Sequence, residues 1–157
     1  MGEDLSILGD LLMDEDLTND LIQTARDRFA QGFNCSQSVF SAFAFQLVLS
    51  NETALKLSSP FGAGMARQGQ VCGALTGALM VLGLQHGNFD PEGKEQTYQI
   101  ADEFIRKFKE RHGTILCREL IGYDISSQAG LQAARERRVF TTICPALVKE
   151  TAESLAH

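Results

Sequence analysis

The chain has 157 residues, enough for one domain with a continuous core and no need of covalent staples. Hydrophobic residues make up 44% and charged residues 22%, ordinary globular usage that favours neither a disordered nor a membrane class. A net charge of -6 gives no long-range attraction for phosphate backbones or anionic lipid, so neither nucleic acid nor a membrane is an expected partner.

In chain order, residues 1–17, "MGEDLSILGDLLMDEDL", form an acidic lead without the basic start and apolar run of a signal peptide, and the expected location is cytoplasmic. Residues 18–157 are expected to fold as a single helical domain. "TNDLIQTARDRFAQG" carries Leu21, Ile22, Ala25 and Phe29 at helical spacing, with Thr18 or Asn19 to cap the start and Gly32 to end it. "SQSVFSAFAFQLVLS" is dense enough in apolar residues to predict a mostly buried helix. Residues 58–71, "SSPFGAGMARQGQV", read as a glycine-marked loop leading into the next helix.

That helix, opened by Cys72 in "GQVCGALTGALMVLGLQHG", is apolar on every face and is expected at the centre of the fold. Gly73 and Gly77, and likewise Ala74 and Ala78, are four residues apart, so its first turns present a nearly bare backbone on which another helix can approach closely. "FDPEGKEQTYQIADEFIRKFKERHG" predicts an amphipathic outer helix of about five turns. Shorter helices are expected at "TILCRELIG", "SSQAGLQAARERRVFTTI" and "CPALVKETAESL", the last with Pro145 in its first turn. No alternating strand pattern appears. The expected fold is therefore all-α, a bundle of roughly six to eight helices. His86 and His112 each precede a glycine and read as last-turn residues that complement a helix dipole.

The four cysteines stand out by position. Cys35 follows Asn34, a good N-cap; Cys72 follows the glycine loop; Cys117 lies three residues after Thr114, the expected N-cap; Cys144 precedes Pro145. All four are expected at helix entrances, where unpaired N–H groups favour thiolate over thiol. At least one of Cys35 and Cys72 is therefore expected to titrate below the usual thiol value of about 8.5. Arg67, five residues before Cys72, could support its thiolate, though a solvated surface arginine is the commoner outcome for such a residue. With glycine and alanine clearing space around Cys72, the entrances are expected to point at one shared site.

These segments, "FNCSQSVF", "GQVCGALTGALMVLGLQHG", "CRELIGYD" and "FTTICPALV", resemble the C_GCAxxG_C_C family of redox-active proteins from about Ala25 to Val148. The family label has Gly-Cys-Ala-x-x-Gly where this chain reads Val71-Cys72-Gly73-Ala74-Leu75-Thr76-Gly77. The resemblance implies a small cytoplasmic helical protein of prokaryotic type with Cys35, Cys72, Cys117 and Cys144 as its functional residues, and an iron–sulfur or other metal centre as a candidate cofactor.

Three functions follow. In the first, one thiolate attacks a disulfide or carries electrons for a redox partner protein and a second cysteine resolves the mixed species. In the second, the four thiolates ligate a metal or iron–sulfur cluster, with Asn34, Gly73, Ala74 and Gly77 around the bound group. In the third, the glycine-lined helix serves self-association, a homodimer, with no chemistry.

Overall fold

The computed structural model describes residues 14–157. Its framework is eight helices of five residues or more, α1 (Glu15–Ala30), α2 (Cys35–Ala44), α3 (Asn51–Ser58), α4 (Gly73–His86), α5 (Lys94–His112), α6 (Cys117–Ile121), α7 (Gln128–Glu136) and α8 (Cys144–Ala156). Short helical turns connect them, and no strand occurs among the described residues. The all-α expectation holds. No described helix is long and apolar enough to cross a membrane.

Capping explains most boundaries and one misplacement. α1 begins at Glu15, before the Thr18 or Asn19 start expected from periodicity, because the Asp14 carboxylate accepts from Asp16 N–H at 3.0 Å and Glu15 and Asp16 suit the positive end of the helix. The helix therefore takes in the end of the acidic lead, while residues 1–13 lie outside the described residues. α2 opens with a reciprocal capping box: Asn34 Oδ1 accepts from Gln37 N–H at 2.9 Å, and Gln37 Oε1 accepts from Asn34 N–H at 3.1 Å. α3 was not evident from periodicity because only Ala54 and Ser58 of it are buried. The continuous helix expected over "SSQAGLQAARERRVFTTI" instead breaks at Arg138, whose φ of 56° is left-handed, leaving α7 and a single turn, Val139–Thr142.

The core is organised by the crossing of α2 and α4. Val39, Phe40 and Phe43 of α2 and Leu75 and Val81 of α4 are buried, each side chain contributing roughly 1.5–3 kcal/mol of apolar transfer free energy. A Cβ placed on Gly77 would lie 2.8 Å from Ser36 O and 3.3 Å from Phe40 N, so the two backbones touch where no side chain fits between them. α4 is central through its first half, where Gly73, Ala74, Leu75, Gly77, Ala78 and Val81 are all buried. The glycine face suggested for self-association is thus consumed inside the chain. α1 and α8 pack against each other and both contact α2, and the amphipathic α5 lies along α4.

Apolar residues divide into two clusters. The larger spans α1 to α5 and α8 and includes Cys72, with Cys35 packed against it. The smaller comprises Cys117, Ile121, Ile125, Ala134 and Val139, with Cys144 packed against it. A short antiparallel pairing joins them at Val71 and Leu116, with Cys72 N–H donating to Ile115 O at 2.8 Å and Cys117 N–H donating to Gln70 O at 2.6 Å. Two cysteines thus belong to each side of a seam.

Candidate functional site

A cavity of about 540 Å³ lies on this seam, and Cys35, Cys72, Cys117 and Cys144 all line it. All four are free thiols. Each stands at a helix entrance: Cys35, Cys117 and Cys144 are the first residues of α2, α6 and α8, and Cys72 is the N-cap of α4. As whole residues Cys72 and Cys117 are buried and Cys35 and Cys144 half-buried, but the sulfurs themselves, that of Cys35 included, are all withdrawn from water. For Cys117 the cap differs from the one expected. Leu116 is the N-cap residue, and the Thr114 hydroxyl instead accepts from Leu116 N–H at 3.2 Å.

Cys35 sits at the centre of this arrangement. Its negative charge, when formed, raises the pKa of each of the other three thiols, so its sulfur is their common neighbour. Backbone N–H groups of Ala63, Ser36, Cys35 and Gly73 act on that sulfur and favour its thiolate. Burial outweighs them, and the Cys35 thiol is raised above the ordinary value. Cys72 is raised by burial and then by the charge of Cys35. Cys117 is pushed up to about 11, by burial first and Cys35 second. Cys144 is pushed up to about 12 by burial, Cys35 and Cys117.

This corrects the expectation of a depressed thiol pKa at Cys35 or Cys72. The helix-entrance placement is right, but a helix end supplies only about half a unit of positive charge, and the loss of water around a buried sulfur is the larger effect. The mutual coupling has its own consequence: once one sulfur ionises, its neighbours are held as thiols.

The Ala63 N–H comes from an unusual turn. Ala63, Gly64, Met65, Ala66 and Arg67 have φ of 56°, 65°, 65°, 49° and 66°, five successive residues in the left-handed region. Each non-glycine residue there costs roughly 1–2 kcal/mol. Hydrogen bonds offset the cost, with Ala66 N–H donating to Pro60 O at 2.8 Å and Gln70 N–H to Gly64 O at 2.9 Å. The sequence announces a glycine loop here but not its hand. Backbone strain of this kind collects at functional sites, and this turn borders the cysteine cavity through Ala63, Ala66 and Arg67.

Of the flanking residues expected around a bound group, Asn34 lines the cavity and also donates from Nδ2 to Ser59 O at 2.9 Å, pinning the start of α2 to the segment before the left-handed turn. Gly73, Ala74 and Gly77 are not on the cavity wall; they form the helix crossing that holds Cys35 and Cys72 in place. Sequence reasoning missed Arg135 and the apolar wall of Phe29, Leu120, Ile125 and Phe140, which come from separate helices and, for Ile125, a turn, with no local sign of a site.

A metal or cluster would need several of these donors to converge. Four sulfurs line the cavity, but among the described residues no three His, Cys, Asp or Glu side chains converge closely enough to hold a metal ion. In this arrangement the described side chains do not gather into a metal-ligand set.

No curated protein and no solved structure matches the chain. Residues 33–157, a span holding all four cysteines, match the family described as "Putative redox-active protein (C_GCAxxG_C_C)", and the chain belongs to that family.

Proposed function

We propose that the protein undergoes thiol–disulfide exchange at the seam cavity, with Cys35 as the attacking sulfur and Cys72 as the resolving one. The observation that carries this reading is the position of Cys35, on the cavity wall, coupled to the other three cysteines, and attended by four backbone N–H groups that favour its thiolate. Cys72 lines the same cavity from the same side of the seam, and its titration responds to Cys35 more strongly than to Cys117. Because ionisation of one sulfur keeps its neighbours protonated, the site holds a single nucleophile with thiols in reserve, as an exchange reaction requires. Cys117 and Cys144 face the same cavity from the other side.

Peptide mapping after anaerobic equilibration in thiol–disulfide buffers of graded potential tests the assignment. An intramolecular disulfide containing Cys35, absent in Cys35→Ser, is the expected product. A protein whose four thiols stay reduced across the series, with native circular dichroism throughout, would leave the reading without support.

A further inference from the structure

The charge lining the cavity is one-sided. Arg67, on the left-handed turn, and Arg135, in the last turn of α7, are the charged side chains on its wall, and no aspartate or glutamate joins them. Neither arginine takes part in any ion pair found among the described residues. Both are exposed, which places them at the rim of the cavity whose wall Cys35 and Cys144 share. In a chain of net charge -6 this is a local reversal of sign, set at the entrance to a thiol-lined chamber. Below the rim the wall is apolar, built from Phe29, Ile125, Phe140 and Leu147 among others. The volume, about 540 Å³, is that of a small-molecule site.

We propose that the oxidant accepted by this site is a low-molecular-weight disulfide bearing carboxylate groups. Arg67 and Arg135 hold the carboxylates at the rim, the apolar wall takes the body of the molecule, and its sulfur atoms reach Cys35. This rests on the exchange reading above and adds the substrate class. Guanidinium groups suit the role because their fork of N–H donors matches a carboxylate. In the reaction Cys35 gives its proton to solvent and its sulfur attacks one sulfur of the small disulfide. That S–S bond breaks and the first small thiolate leaves. Cys72 then loses its proton and attacks the Cys35 sulfur, and the second small thiolate leaves. Two protein thiols become one disulfide, one small disulfide becomes two thiols, and the two protons released match the two thiolates formed.

The test compares two chromophoric aromatic disulfides, the dicarboxylate DTNB and the neutral dithiodipyridine, reacting with the fully reduced protein at low salt. The readout is the ratio of their rates, since the neutral probe reports thiol access in the same variant. In Arg67→Gln/Arg135→Gln the ratio of DTNB to dithiodipyridine rates should fall about tenfold, the combined loss expected of two exposed charge pairs. Lysine at both positions should restore much of it. An unchanged ratio, with both probes still forming the Cys35 disulfide, would overturn the acidic-substrate inference and leave thiol exchange standing. If neither probe oxidises the native wild-type protein, both fall.

Discussion

The sulfur of Cys35 rests against the backbone of Gly73: a Cβ added there would lie 2.3 Å from Cys35 Sγ and 3.1 Å from Phe61 O. The first residue of α4 is thus glycine because the site's central thiol occupies the space that any side chain would need. The two links, helix packing and thiol position, share one atom's worth of room.

Gly73→Ala should therefore displace the Cys35 side chain and destabilise the fold by roughly 1–3 kcal/mol, the usual cost of overpacking. Urea denaturation gives the stability change, and the alkylation rate of Cys35 against that of Cys144 gives the displacement. A wild-type midpoint together with an unaltered Cys35 rate would show that the contact yields freely.

At Gly77 the obstacle is backbone, with Ser36 O 2.8 Å from an added Cβ, so the neighbour has no rotamer into which to retreat. Gly77→Leu must push α2 and α4 apart and should cost at least the upper part of the 1–3 kcal/mol overpacking range, about 3 kcal/mol. Thermal and denaturant midpoints should both drop. Gly83→Ala, on the exposed part of the same helix and with open space around it, should be neutral or stabilising and is the control.

The pH response follows from burial of the thiols. Unfolded cysteines titrate near 9.0, whereas in the fold Cys117 is pushed up to about 11 and Cys144 to about 12, with Cys35 and Cys72 also raised. Above the unfolded value the folded state retains protons that the unfolded state has lost, so stability falls as pH rises. The contribution is complete below pH 9.0 and is lost on passing through about 11 and about 12. Urea midpoints of the reduced protein should decline across that alkaline window, with a shallower decline in Cys117→Ala/Cys144→Ala. Alkylation rates of the native thiols should keep rising past the pH at which a free thiol levels off. A plateau at the ordinary value would show that solvent reaches the sulfurs.

The left-handed turn offers a stabilising substitution. Ala66 is exposed and held at φ 49°, ψ 47°, a conformation that glycine adopts without steric cost. Ala66→Gly should raise stability by about 0.5–1 kcal/mol, the relieved strain less the greater freedom glycine has when unfolded. Destabilisation by a similar amount would show that Ala66 does not hold this conformation in solution.

Most of the helical framework was legible because its signals are local. Asn34 before Cys35, the proline after Cys144 and the apolar run after Cys72 each mark an element within a few residues. The cysteine placements at helix entrances could be read the same way. What could not be read depends on tertiary packing. Burial reverses the sign of the expected thiol shifts, and a dipole argument from sequence has no access to burial. Arg135 reaches the cavity only because α7 folds over the seam, and the hand of the turn at Ala63–Arg67 is set by its hydrogen bonds to Pro60 and Gln70. The break at Arg138 was hidden because arginine gives no composition cue for a positive φ.

The seam between the two apolar clusters also sets an order of opening. The smaller cluster has five buried residues, shares Ile143 with the larger as a packing neighbour, and is joined to it at Val71 and Leu116. Its amides, those of Ile121 and Ala134 among them, should exchange with solvent deuterium through a sub-global fluctuation while Val39 and Leu75 wait for complete unfolding. Each such excursion carries Cys117 and Cys144 away from Cys35 and Cys72. The depth of a thiol in the static structure and its exposure over time are then separate quantities, and labelling of Cys117 by bulky reagents will follow the breathing equilibrium of the small cluster.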